Sequence, residues 1–415
     1  MTLMTKSIPL LRFPTFKDSW KRWLLDQFAT RGSGHTPSKS HPEYYGGDID
    51  WISLADSNRL DNGYIDKTKS KITDLGLKHS SAVLHPAGTV ILSRDAGVGK
   101  SAVMKQPMAV SQHFIVWRPT SGISAGWFIY YWLQIMKPEF ERIAIGSTIK
   151  TIGLPYFKKL EISAPTVLEQ QKIADFLTAV DKRIQQLSQK KALLEDYKKG
   201  VMQQLFTQTL RFKDDHGNEF PDWEEKTLGE LFIFKNGFNA EKNQYGTGVK
   251  FINVLDVLSP RPITYKRIIG QVEIPAKDFP KFEVKFGDLL FQRSSETREE
   301  VGQANVYLDK ERSAGFGGFV IRGQPKAKFD SLFMNYLLRT PIARNEITTK
   351  SGGSTRYNVS QDTLGEARIV MPSSLPEQTK IVNFLTALDR KIETVAQQIT
   401  HTQTFKKGLL QQMFV

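Results

Sequence analysis

Glu169-Gln170-Gln171-Lys172-Ile173, running on through Phe176-Leu177-Thr178-Ala179-Val180-Asp181, is a stretch that this chain writes twice. It returns 208 residues later as Glu377-Gln378-Thr379-Lys380-Ile381 and Phe384-Leu385-Thr386-Ala387-Leu388-Asp389. The match holds without a gap to its end. There Lys198-Lys199-Gly200 answers Lys406-Lys407-Gly408, and Gln203-Gln204-Leu205-Phe206 answers Gln411-Gln412-Met413-Phe414. Seventeen of 38 aligned positions are identical, too many for two unrelated helices, so the chain contains an internal duplication.

Both copies predict long helices. Each opens on a Ser/Thr-x-x-Glu pattern, Thr166 to Glu169 and Ser374 to Glu377, which reads as a capping box. Apolar residues then alternate in steps of four and three: Ile173, Leu177, Val180, Ile184 and Leu187, with Leu194, Val201 and Leu205 beyond. The second seam is Ile381, Leu385, Leu388, Ile392 and Val395, continued by Ile399, Leu409 and Met413. Lys191, Lys198, Thr402 and Lys406 interrupt these seams. About 39 residues at 1.5 Å each give a rod of roughly 58 Å. Two rods of equal length with near-identical seams are expected to pair with each other.

Outside the rods the repeat is fainter. Trp20 and Leu25 answer Trp223 and Leu228, and Val98-Gly99 answers Val301-Gly302. Phe128, Tyr131 and Leu133 answer Phe333, Tyr336 and Leu338, and Gly146-Ser147-Thr148 echoes Gly353-Ser354-Thr355. The division expected is 1–165, a helix over 166–212, 213–373, and a second helix over 374–415. Both inserts read as mixed. Strands are predicted at 48–54, 89–92, 249–254 and 288–291, and short helices at 127–136 and 332–338. Polar residues 211–218 read as a linker. A shared scaffold with freely diverged inserts suits two readers of different targets.

Composition narrows the partners. Lys and Arg number 57 against 43 Asp and Glu, a formal charge of +14, which favours a polyanion, nucleic acid before membrane. There is no Cys, so disulfides, thiolate-held zinc, iron–sulfur clusters and thiol nucleophiles are excluded. The longest apolar stretch, near 123–136, is shorter than the ~20 residues of a spanning helix, so a cytoplasmic protein without a membrane role is expected.

Two motifs invite other chemistry. Gly97-Val98-Gly99-Lys100-Ser101 resembles a phosphate loop, but Arg94 stands where that loop needs its first Gly. The preferred reading is a turn offering Arg94 and Lys100 to DNA phosphates, against a solvated turn. Pro221-Asp222-Trp223-Glu224-Glu225-Lys226 has the residue types of a nuclease motif, but its carboxylates are consecutive rather than on neighbouring strands. His35, His41 and His113 read as polar contacts or packed side chains, and no metal site is expected.

The paired E-Q-x-K-I…F-L-T-A-[VL]-D blocks, in the order reader–rod–reader–rod, resemble the DNA-specificity subunit of Type I restriction–modification enzymes. Gly34-His35-Thr36-Pro37-Ser38, followed by Tyr44-Tyr45-Gly46-Gly47-Asp48-Ile49-Asp50-Trp51-Ile52, looks like the opening of that family's first target-recognition domain. The second insert departs from it at Lys235-Asn236-Gly237-Phe238. The resemblance implies an α+β protein: two mixed α/β target-recognition domains, two long helices in an antiparallel coiled coil, and a pseudo-two-fold repeat. It further implies no catalytic centre, a bipartite double-stranded DNA target with one half-site per domain, and docking of two methylation subunits and of restriction/translocase subunits. S-adenosylmethionine, ATP and Mg²⁺ would belong to those partners. A coiled-coil adaptor that never touches DNA, and a stand-alone nuclease or methyltransferase, are the alternatives. Candidate DNA contacts in the first reader are Ser33, His35, Thr36, Ser38, Lys39, Arg94, Lys100, Ser147, Thr148 and Lys150. In the second they are Asn236, Arg293, Arg298, Ser354, Thr355, Arg356 and Tyr357.

Overall fold

A computed structural model describes residues 8–353 and 355–415, so candidate Ser354 lies outside the described residues. The chain divides into two compact units: Met1–Gln189 with Ala396–Val415, and Lys190–Val395. The central helix, Val167–Phe206, and the distal helix, Leu375–Met413, each give one stretch to each unit.

In the first unit a five-stranded sheet runs Ala29–Ser33, Phe114–Pro119, Val90–Ser93, Ser101–Met104, Tyr64–Ile65. Its faces follow the period of two that a strand imposes. Val90, Leu92, Val103, Ile115 and Trp117 point to one core with Phe128 and Leu133 of the helix Gly126–Ile143. Ile91, Ala102, Met104, Phe114 and Val116 point to the other, with Ile52 and Val110 of a second sheet. That sheet is ordered Ser70–Ile72, Tyr45–Ile52, Met108–Val110, Leu84–His85. Strand Tyr45–Ile52 begins earlier than the hydropathy pattern indicates, because a bulge between Tyr45 and Ile49 carries Gly46 at φ +80°.

The second unit repeats this plan. Phe232–Asn236, Val320–Pro325, Leu289–Gln292 and Ala304–Val306 form the four-stranded sheet. Leu289 and Phe291 face one core while Leu290 faces the other. Gln271–Val272, Tyr245–Ile252 and Gly315–Phe316 make the smaller sheet, with the same bulge between Tyr245 and Val249. The first unit's single helix, which passes through Pro138, is here two: Ser331–Leu337 and Pro341–Thr349. A short strand enters each unit beside the strand that leads into its long helix, Lys21–Leu24 on Glu161–Ala164 and Trp223–Thr227 on Arg368–Pro372.

Within each unit the two long helices meet antiparallel. In the first, Ile173 and Leu177 near the start of the central helix share a core with Leu409, Met413 and Phe414 at the end of the distal one. In the second, Val201, Leu205 and Phe206 share a core with Ile381 and Leu385. Val180, Ile184 and Ile392 are half-buried, whereas Leu187, Leu388 and Val395 are buried. Two of the three seam lysines, Lys198 and Lys406, bridge the helices, while Lys191 pairs with Glu195 on its own helix. Lys406 Nζ lies 2.5 Å from Asp181 and 5.4 Å from the Tyr131 ring, whose hydroxyl donates to Asp181 at 2.8 Å. Lys198, Asp389 and Tyr336 repeat this arrangement at 2.6, 5.2 and 2.6 Å. Burial pushes both phenols' pKa values up, so they stay protonated donors.

Glu169 and Glu377 do not act as cap partners. Each is buried and faces an arginine. Arg12 reaches Glu169 through Nε and Nη2 at 2.7 and 2.8 Å, and Arg211 reaches Glu377 at 3.2 and 3.1 Å. A buried carboxylate needs a counter-charge more than an exposed backbone N–H needs a cap, so the arginine takes it. Gln170 and Gln378 complete the junction: Gln170 accepts from Ala125 N and donates to Pro165 O, while Gln378 accepts from Asp330 N and donates to Pro372 O. Leu11 N donates to Gln412 O at 2.8 Å, so the segment before the first reader sits at the end of the distal helix. Residues 207–222 play that part behind the central helix, with Arg211 and Trp223 in the roles of Arg12 and Trp20.

Candidate nucleic-acid interface

Three loops converge on one end of the first reader. Strand Ala29–Ser33 leads into the first, and Gly34 lies flat on the backbone: a Cβ there would stand 1.7 Å from Val110 O. Tyr45 fixes this loop by donating to Pro37 O at 2.5 Å, and Trp51 Nε1 donates to His35 O at 3.2 Å. The second loop, after Val90–Ser93, carries Arg94 and Asp95. The third is a hairpin closed by pairing of Ile145 with Thr151, with Gly146 at φ +136°. Asp95 ties them together: its carboxylate accepts from Thr151 Oγ1 and meets His113 Nδ1 at 2.9 Å. Thr36 Oγ1 donates to Gln112 Oε1 at 2.6 Å, joining the first loop to the strand connection at 111–113. Thr36, Lys39, Ser111, Gln112 and His113 line a cleft of about 600 Å³ above Tyr45 and Trp51.

Ser33, His35, Ser38, Lys39, Ser147, Thr148 and Lys150 are exposed at this end, and Ser38 Oγ bonds Ser40 Oγ at 2.7 Å. Arg94 is half-buried, its Nε 3.6 Å from Asp95. Lys100 stands apart from the group, with Nζ donating to Ser57 O at 3.1 Å. A backbone carbonyl thus holds the amine that the sequence pattern offered to phosphate.

The second reader has the same three loops. Gly237 takes the place of Gly34, its Cβ position 2.1 Å from Gly317 O, so the departure at Lys235-Asn236-Gly237-Phe238 is one of residue type and not of backbone. Arg293 matches Arg94: each donates its N–H to the strand connection, at Phe319 O and His113 O, and each carbonyl accepts from the chain leaving the hairpin, Val359 N and Ile152 N. The hairpin closes by pairing of Gly352 with Asn358 and carries exposed Thr355 and Arg356 and half-buried Tyr357. Arg356 lies over the Phe319 ring at 5.6 Å. Asn236, Arg293, Lys350 and Asn358 line the cleft, with Asn236 Oδ1 buried and without a protein partner. Arg298 is turned to Thr348 O at 3.2 Å, beside the hairpin's approach. Sequence alone could not add Asp95, Gln112 or Asn358, since no local motif marks the residues that close a cleft from another strand.

The duplicated chain matches a known family. The model of the Type I restriction modification DNA specificity domain matches residues 17–196 and again 221–401, which together make most of the chain. The chain belongs to that family. The chain is 28% identical to the Type I restriction enzyme MjaIX specificity subunit of Methanocaldococcus jannaschii, over 64% of each chain, just under two thirds of that relative's length. It is 22% identical to the EcoKI specificity subunit of Escherichia coli over 87% of its own length and 80% of the relative's. In fold it is similar to the crystal structure of the Type I system S subunit from M. genitalium, with a TM-score of 0.57, 17% identity, and 98% and 99% of the two chains covered. A second structure, described as the structural basis of complex assembly and conformational transition of the type I R-M system, gives a TM-score of 0.59 at 17% identity over 94% and 96% of the chains. Among the described residues no helix is long and apolar enough to cross a membrane.

Proposed function

We propose that this specificity subunit reads a two-part sequence in double-stranded DNA, one half-site per reader. The observation that carries the reading is the equivalence of the two loop ends. Arg94 and Arg293 hold identical backbone positions, and the Gly146 and Gly353 hairpins are the same turn, yet the side chains around them differ. One scaffold with two sets of side chains suits two different half-sites. Exposed Lys39, Lys150 and Arg356 would take phosphates and set register, while amides and hydroxyls in the clefts would meet base edges. The +14 charge supplies the general attraction to a polyanion.

The duplicated helices would offer two equivalent docking places, one for each of two methylation subunits, with restriction/translocase subunits joining that core. S-adenosylmethionine, Mg²⁺ and ATP would bind those partners, in the cytoplasm where the DNA is. The test has two arms. The purified chain given S-adenosylmethionine, Mg²⁺ and ATP should neither methylate nor cut DNA. With the methylation subunit from its own genome it should direct methylation to adenines within two short defined blocks separated by unread bases. Turnover by the lone chain, or methylation without such a pattern, would overturn the reading.

A further inference from the structure

Residues 110–114 and 316–320 are the same connection in the two readers. Ser111 N donates to Ile52 O at 2.9 Å and Gly317 N to Ile252 O at 3.0 Å; Phe114 N returns to Ser111 O and Val320 N to Gly317 O. Gln112 and Gly318 therefore occupy one place in the fold. Opposite them, two residues beyond the packed glycines Gly34 and Gly237, stand Thr36 and Asn239. In the first reader the strand connection supplies a carboxamide, Gln112, and the loop supplies a hydroxyl, Thr36, that donates to it at 2.6 Å. In the second the arrangement is inverted. The connection has no side chain, and the loop's Asn239 fills the space: a Cβ on Gly318 would lie 1.8 Å from Asn239 Oδ1.

Each reader thus ends with one carboxamide at the same point, built from opposite walls. Both residues are exposed, and among the described contacts neither amino group is spent on a protein acceptor. Gln112 keeps a second lone pair on Oε1 beyond the one Thr36 uses. A free N–H beside a free acceptor is the pattern that adenine meets in the major groove, where N6–H₂ donates and N7 accepts. A merely structural amide would satisfy itself against neighbouring backbone, as Gln170 and Gln378 do at the helix junctions. Neighbouring cations frame each point: Lys39 at the first cleft, and Arg293, which donates to Gly318 O at 3.3 Å, at the second.

We infer that Gln112 and Asn239 are the adenine-reading residues of the two half-sites, with Thr36 as the positioning residue for Gln112. The inference rests on the two-reader function proposed above. The test is selection from a randomised duplex library by the full chain, co-purified with its methylation subunit, followed by sequencing of the bound pool. Gln112→Ala should relax preference for adenine at one position of one block, by roughly 5- to 150-fold, and leave the other block untouched. Asn239→Ala should do the same in the other block. Gln112→Glu should move the preference at its position toward cytosine, whose N4–H₂ donates to a carboxylate. Thr36→Val should weaken discrimination at the Gln112 position alone. A motif that survives both alanine variants unchanged, or that weakens evenly at all positions, overturns this assignment while leaving the two-reader function standing. A wild-type chain that enriches no motif overturns the two-reader function itself, and this assignment with it.

Discussion

Removing the Glu377 carboxylate tests whether the helix junction is held by a buried charge pair. Three donors converge on it: Arg211 Nε at 3.2 Å, Arg211 Nη2 at 3.1 Å and Trp223 Nε1 at 3.1 Å. The carboxylate is 1% exposed and Arg211 17%, so water reaches neither well enough to compensate. Breaking such a pair from one side costs about 3–5 kcal/mol, because the surviving charge stays buried. Arg211 keeps its bonds to Phe220 O and Pro221 O, which places Glu377→Ala near the lower end, about 3 kcal/mol. Replacing both partners by apolar residues, Arg211→Met with Glu377→Leu, should recover most of that loss. The assay is urea unfolding followed by hydrogen exchange of peptides from Lys190–Val395, so that the loss is assigned to the unit that contains the pair. A Glu377→Ala variant within about 0.5 kcal/mol of wild type would refute the reasoning. So would a double variant as unstable as the single one.

Salt dependence separates the exposed lysines from the held one: Lys150→Ala and Lys39→Ala should each lower the log–log slope of DNA affinity against salt by about 0.9, and Lys100→Ala should not change it. Asp288, pushed up to about 6 by burial, gives a pH signature. Its raised folded value means that the stability it contributes is complete below about pH 4 and is lost as pH rises through about 6, by roughly 2–3 kcal/mol. Asp288→Asn should remove that part of the pH dependence when the two chains are compared by urea unfolding from pH 4 to 7.5. Gly34→Ala should destabilise the first reader by about 3 kcal/mol in the same assay, because its Cβ would stand 1.7 Å from a strand carbonyl that cannot withdraw.

The helices were legible because both their period and their repetition are one-dimensional signals. Ile173, Leu177, Ile381 and Leu385 are buried where the spacing puts them. The lysines at 198 and 406 looked like faults in the seam because their partners, Asp389 and Asp181, belong to the other copy and only the antiparallel pairing brings them close. Glu169 differs from its local pattern for a related reason. A capping box is a local pattern, while Arg12 comes from 157 residues away. In the readers, strand positions such as Leu289–Gln292 followed from apolar runs, but the bulge at Tyr45 and Ile49 did not, since glycine pairs mark turns as often as bulges. The exposed hairpin residue Thr148 is marked by the repeated Gly-Ser-Thr, and Lys150 by being a basic residue beside it. Lys100 could not be separated from them, because its distance to Ser57 depends on how two loops fold over one another.

The central claim is that the two inserts are independent readers carried on one duplicated frame. Exchanging residues 10–165 for the corresponding segment of another specificity subunit, and mapping methylated adenines directed by the chimaera with its methylation subunit, tests this most directly. The account predicts that one block of the recognised sequence changes to the donor's while the other block is retained base for base. A change in both blocks, or in neither, would contradict it.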